Sequence, residues 1–254
     1  MTEATTETET FYMTRLWLRL RRLMELARAL HLPVRSLDEN YIVHCALCEL
    51  FGHDAPSPFC IEGSDGRFLR TLGYSGSTLE ELEDTARANA SPLAYQIPEW
   101  SRSAEKPMPV CLPEGARLTF SLRACPVVRK SSPDKRGRGG EVDAFLARVW
   151  EVDDPEVPVD REEVYRDWLA DQLDRRGGAR LLSAGLERFS IELMIRRDHS
   201  PERKPATIKR PDATLAGTLE VTDSEKFSQL LRRGLGRHKS FGFGMLKIRP
   251  AGGR

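Results

Sequence analysis

Twice along this chain of 254 residues the apolar pattern runs strand, helix, strand, strand, helix, strand, and that repetition restricts the fold more than any other feature. Residues 11–20 (Phe-Tyr-Met-Thr-Arg-Leu-Trp-Leu-Arg-Leu) alternate at period two, as a half-buried strand does, and an amphipathic stretch follows at 23–30. Ser36 with Glu39 has capping-box spacing before an apolar run, which predicts a helix over 37–51 stopped by Gly52 and the Pro56/Pro58 pair. Residues 59–62 and 68–74 flank Gly63-Ser64-Asp65-Gly66 and read as a hairpin. Ser77 with Glu80 predicts the next helix, and a Pro-rich connection over 92–113 leads to an alternating strand at 116–123.

The second half reads the same way. After a basic, Gly-rich turn at 130–140, residues 142–150 read as a strand, Asp160 with Glu163 opens a helix to 176, and strands follow over 186–196 and 213–221. Thr222 with Glu225 caps a helix ending at Gly234, and the final strand covers 243–249. Two successive βαββαβ units predict an α+β protein of two tandem ferredoxin-like (RRM-like) domains, each an antiparallel sheet with helices on one face. The expected boundaries are an acidic, Thr-rich disordered tail over 1–10, a first domain over 11–128 and a second over 141–254.

No apolar stretch approaches the ~20 residues of a membrane span, and the N-terminal residues do not resemble a secretory signal, so a cytoplasmic protein without a membrane partner is expected. The net charge of +1 conceals a lopsided distribution. From Arg232 onward there are seven Lys/Arg and no acid, residues 117–138 hold seven against Asp134 alone, and residues 151–174 carry ten acids against Arg161 and Arg166. Basic segments gathered on one surface make a polyanion footprint, although any single run can also be a solvated face. Five cysteines, an odd number without a secreted framework, predict reduced thiols. Cys45-x-x-Cys48 beside His44 lies within a predicted helix and has no second such pair, so the two cysteines read as small buried hydrophobes and no metal is expected.

Two constellations carry chemistry. Residues 234–244 (Gly-Leu-Gly-Arg-His-Lys-Ser-Phe-Gly-Phe-Gly) set Gly234, Gly236, Gly242 and Gly244 around the basic centre Arg237, His238 and Lys239. Glycine permits positive φ and close approach to the main chain, so exposed N–H groups beside three cationic side chains suit a phosphate. The loop leaves a helix and enters a strand, which fits neither the Walker nor the dinucleotide pattern, and no cofactor is expected. The second constellation is Tyr41 with His44, three apart and so on one side of a helix. An imidazole exchanges protons near neutral pH and a phenol donates to developing oxyanion charge, which with the basic loop suffices for metal-free cleavage of RNA by its own 2′-hydroxyl. His238 competes for the phosphate-facing role, and a lone helical histidine is more often structural.

In Tyr41-Ile-Val-His44, in Arg117-Leu-Thr-Phe-Ser-Leu-Arg-Ala-Cys-Pro126, in Trp168 with residues 176–182, and in 234–246, the chain resembles the CasE (Cse3) family, the CRISPR RNA-processing endoribonucleases of type I-E systems. The resemblance extends from about residue 11 to 250. It implies a protein that binds the stem-loop of a CRISPR repeat, cuts at the base of the stem without metal to leave a 2′,3′-cyclic phosphate and a 5′-hydroxyl, and retains the product with other Cascade subunits. Carried over by position, His44 is the general acid/base and Tyr41 its partner. Arg129, Lys130, Lys135, Arg136 and Arg138 form the basic turn that grips the stem, and Arg117, Arg123 and the 234–244 loop join them as RNA-binding residues. Cys125 stands where the family has asparagine, and Glu49 where some relatives have lysine, which leaves Lys239 or the basic turn to stabilise charge. Two other readings stand beside it: a non-catalytic RNA-binding subunit that uses the same basic surfaces while Tyr41 and His44 only pack, and a tandem ferredoxin-like regulatory module that binds a small ligand between its sheets, against which the basic distribution argues.

Overall fold

A computed structural model describes residues 10–32, 38–109, 111–129, 140–152, 154, 157–197 and 205–252. The chain divides between Leu112 and Pro113 into two units, each with one four-stranded antiparallel sheet.

The first unit comprises β1 (Phe11–Arg19), α1 (Leu20–Ala29), α2 (Glu39–Phe51), β2 (Phe59–Ser64), β3 (Phe68–Ser75), α3 (Leu79–Asn89), the short α4 (Pro92–Tyr95) and β4 (Ala104–Met108). The strand order is β2-β3-β1-β4. Period-two alternation sends Leu16 and Leu18 to one face of β1, where they meet Ile42, Val43, Ala46 and Leu50 of α2 and Leu82 of α3 in a continuous apolar core. The caps differ by a residue or two from the expected ones. Asp38 opens α2 by accepting from the Asn40 N–H, Ser36 lying outside the described residues, and Thr78 with Glu81, not Ser77 with Glu80, forms the capping box of α3.

The second unit comprises β5 (Arg117–Ala124), β6 (Val127–Arg129), β7 (Glu141–Asp143), α5 (Ala144–Val149), α6 (Arg161–Arg176), β8 (Ala179–Arg197), β9 (Pro205–Val221), α7 (Ser224–Arg233) and β10 (Leu246–Pro250). Its main sheet runs β10-β5-β9-β8, so in both units the opening strand lies between the last strand and the third. This is the ferredoxin-like order, and the expected fold class is borne out.

The assignment of strands to units is corrected at the junction. The alternating strand over 117–124 opens the second sheet, pairing with β9 from Arg117↔Glu220 to Ala124↔Ala213 and with β10 from Leu118↔Pro250 to Leu122↔Leu246. The first sheet is closed instead by β4, inside the stretch read as a Pro-rich connection. Pro107 is tolerated there because β4 is an edge strand, paired only with β1. The strand expected over 142–150 is also corrected: only Glu141–Asp143 is extended, pairing with Val127–Arg129 as a small ribbon. Asp143 then caps α5 by accepting from the Phe145 N–H.

β8 and β9 form a longer hairpin than the alternation suggests, pairing from Ala179↔Val221 to Arg197↔Pro205 and so running past the end of β5. Register shifts at Leu181/Ser183 and Leu186/Arg188 explain why its first half lacks a clean period of two. Among the described residues, no helix is long and apolar enough to cross a membrane.

Candidate nucleic-acid site

The apolar residues of α2 face the sheet, which leaves Tyr41, His44 and Cys48 on a stripe at i, i+3 and i+7 that reaches solvent. The Tyr41 and His44 ring centroids are 6.4 Å apart with planes tilted by 43°, so the pair read from spacing does form on one side of the helix. Tyr41 also rests against the core, which fixes its ring. Partial burial holds the His44 imidazole below its ordinary value of 6.5 and hence neutral at pH 7.

Cys48, one turn on, is exposed, which corrects its reading as a buried hydrophobe. Its sulfur lies 3.6 Å from His44 Nδ1 and 3.8 Å from Nε2. Partial burial of its sulfur beside His44 pushes the thiol up, so at neutral pH it carries a proton that it can share with the imidazole. The i, i+4 spacing from His44 is the signal in the sequence, but the metal-like pattern Cys45-x-x-Cys48 obscures it. Glu49 is exposed on the same helix.

The glycine loop is more deeply embedded than the sequence suggests. Gly234, Gly242 and Gly244 are buried, and so are Leu235, Phe241, Phe243 and Met245. The Leu235 N–H donates to Gly244 O, the Gly244 N–H to Arg123 O, the Phe241 N–H to His238 O and the Gly242 N–H to Lys239 O. These amides hold the loop to itself and to β5, which corrects the view that Gly234, Gly242 and Gly244 offer an open cradle to RNA. Gly244 has φ +88°, and a Cβ there would stand 2.4 Å from Leu235 O. Alanine at Gly244 is therefore expected to cost at least about 1–3 kcal/mol, read as a lowered midpoint in denaturant unfolding. An unchanged midpoint would refute this account of the loop.

The loop's basic side chains divide into engaged and open groups. His238, itself at φ +59°, donates from Nε2 to Glu141 Oε2 at 2.7 Å, while Arg237 Nη1 reaches Glu141 Oε1 at 2.7 Å and Arg210 Nη2 reaches Oε2 at 3.3 Å. Burial alone would raise the Glu141 carboxyl, but His238, Arg237 and Arg210 outweigh it and hold the group below its ordinary range. Burial also lowers His238, with Glu141 opposing and the two arginines reinforcing the shift. The His238 side chain is only 13% exposed, whereas Arg237 is 52% exposed and can meet a ligand while held by Glu141. Lys239 donates to Arg233 O at the end of α7, and burial, then Arg176 and Arg233, lowers its ammonium. It serves as a helix C-cap, not the spare cation sought in place of a lysine at position 49.

Arg123 is corrected from an RNA contact to a framework residue. Its guanidinium meets fully buried Asp212 through Nε and Nη2 at 2.9–3.1 Å, donates to Phe241 O, and lies 4.3 Å from the centre of the Phe243 ring. Arg117 is 70% exposed beside Glu220, and Arg129 is exposed at the end of β6, next in sequence to the basic segment. Lys130, Lys135, Arg136 and Arg138 lie outside the described residues, as does the N-terminal tail up to residue 9. Cys125 is buried, and its thiol is pushed up to about 12, chiefly by that burial, consistent with a packing role.

Two ferredoxin-like units, one carrying a solvent-facing Tyr–His pair and the other a structured basic glycine loop, define a tandem ferredoxin-like protein. Residues 11–250 match the family described as CRISPR associated protein, and the chain belongs to that family. It is 29% identical over 166 residues to the CRISPR-associated endoribonuclease Cse3 of Thermus thermophilus, over 60% of this chain and 69% of that protein. Its fold is similar to that of the CRISPR endoribonuclease Cse3 bound to a 19-nucleotide RNA, with a TM-score of 0.63 and 21% identity over 95% of this chain and 100% of the other. It is also similar to Cas6e from Escherichia coli K-12, with a TM-score of 0.51 and 20% identity over 95% and 100% of the two chains. The CasE/Cse3 resemblance read from the motifs is thereby borne out.

Proposed function

We propose that this chain is an endoribonuclease that binds the stem-loop of a CRISPR repeat and cuts the precursor RNA at the base of the stem, acting in the cytoplasm and keeping the product for a Cascade complex. The observation that carries the reading is the Tyr41–His44 pair on the open side of α2, in a chain of the CRISPR associated protein family that is similar to a CRISPR-associated endoribonuclease. His44, neutral at pH 7, accepts the proton of the ribose 2′-hydroxyl as that oxygen bonds to the adjacent phosphorus. The bond from phosphorus to the 5′-oxygen breaks, and that oxygen takes the proton from the His44 imidazolium, leaving a 2′,3′-cyclic phosphate, a 5′-hydroxyl and a neutral His44. The Tyr41 hydroxyl donates a hydrogen bond to oxygen that gains charge in this step. Arg129, Arg237 and the basic turn provide phosphate contacts directed by shape, since A-form RNA hides its base edges in a deep groove.

The substrate supplies the nucleophile, so the reaction needs no metal ion. Repeat RNA incubated with the protein in EDTA should be cut once, to a product ending in a cyclic phosphate. The second-order rate constant should rise with pH and level off, with the midpoint of the rise below 6.5, because burial places the His44 transition below that ordinary value. A requirement for magnesium, or a rate that falls with pH over this range, would overturn the assignment.

A further inference from the structure

The first sheet has a second face, which the cleavage reading does not use. Leu16 and Leu18 point into the core, so Trp17 between them and Arg15 just before them point the other way. Trp17 stands opposite Arg70 on β3, and its ring meets that of Phe68 edge-on, with centroids 6.3 Å apart. The Arg102 guanidinium lies over both rings, 4.0 Å from the centre of Trp17 and 4.6 Å from that of Phe68, and Arg70 lies 5.7 Å from Trp17. Trp17 is half-buried, while Arg15 and Arg102 are exposed. Two acids face the group: Glu62 pairs with Arg70 at 3.3 Å, and Asp65 approaches Arg102 only to 4.0 Å.

We propose that this face is a binding site for unpaired nucleotides of single-stranded RNA. The aromatic on the central strand gives a base a ring to stack on, and three arginines around it match the phosphates on either side. A guanidinium over an aromatic ring occupies the position that a base would take. Arg102 is placed to exchange, since it ends the single short turn of Trp100–Arg102 and its ion pair is long and solvent-exposed. A base then enters over Trp17 as the Arg102 guanidinium moves to the neighbouring phosphate. The choice of RNA rests on the proposed function, but the site requires neither His44 nor the glycine loop. Its ligand is the unpaired RNA next to a hairpin, not the hairpin itself.

The test uses the full chain and a short fluorescein-labelled oligouridine, which forms no stem. Trp17→Ala is expected to weaken its binding roughly 5- to 150-fold, the loss of one stacked base, while Trp17→Phe keeps most of the affinity. Arg15→Gln, a change at an exposed position, should lower the slope of log Kd against log salt by about 0.7, the value for one single-strand phosphate contact. Hairpin cleavage at saturating protein should be unchanged in all three variants. Folded Trp17→Ala protein that binds oligouridine as the parent does would overturn the site. Should Trp17→Ala fail to fold, an unaltered salt slope in Arg15→Gln would do so. If the parent cuts no hairpin while oligouridine binding still depends on Trp17, the proposed cleavage fails and this site stands. Normal cleavage with no oligouridine binding overturns the site and leaves the proposed cleavage standing.

Discussion

Alanine in place of His44 is expected to leave repeat-hairpin binding intact and to slow cleavage by about 100- to 10,000-fold, the range that one positioned acid/base group contributes. His44 faces solvent beside Tyr41 and Cys48, and the buried residues of α2 are Ile42, Val43, Ala46, Leu47, Leu50 and Phe51. Removing the imidazole therefore opens no core cavity, and stability should stay within about 0.5 kcal/mol of the parent. It also removes no persistent positive charge, because the group is neutral at pH 7. Single-turnover cleavage on gels, fluorescence anisotropy with the hairpin, and thermal melting separate the three quantities. Unchanged cleavage with a lowered melting temperature would mean that the histidine only packs, as in a non-catalytic RNA-binding subunit.

The largest loss of stability is expected from Asp212→Ala. Asp212 is fully buried on β9 and receives Arg123 from β5 and Arg188 from β8, so it links three strands of the second sheet. Arg123 also holds the glycine loop through Phe241 O and the Phe243 ring. Removing the carboxylate leaves an 18%-exposed guanidinium uncompensated, at a cost of about 3–5 kcal/mol. For a chain of this size the melting temperature should fall by about 10 °C. Calorimetry measures this directly, and a shift of only one or two degrees would show that the cluster is not a keystone of the sheet. Loop amides from residues 241–244 should lose hydrogen-exchange protection first, since Arg123 and its backbone carbonyl hold them.

What the sequence discloses and what it hides follow from the range of the interactions. The Tyr41–His44 pair is legible because helical spacing alone places two side chains together. The β5 alternation is equally plain, but no local signal says which sheet a strand joins, and Pro107 disguises β4. The part played by Asp212 is invisible because its partners are 89 and 24 residues away in sequence. Arg123 and His238 look like free basic groups for the same reason: their acids, Asp212 and Glu141, are 89 and 97 residues away in sequence. The four glycines do report unusual backbone, yet at Gly244 the cause is the proximity of Leu235 O, not a ligand.

The Glu141 clamp bears on how fast RNA would arrive and how long it would stay. One carboxylate facing Arg210, Arg237 and His238 cancels much of the field this cluster projects, so its pull on a distant polyanion is small. The same carboxylate fixes where Arg237 points, so little side-chain freedom is lost on contact. Such a surface favours slow association and long residence, the kinetic character that the proposed retention of a cut strand calls for.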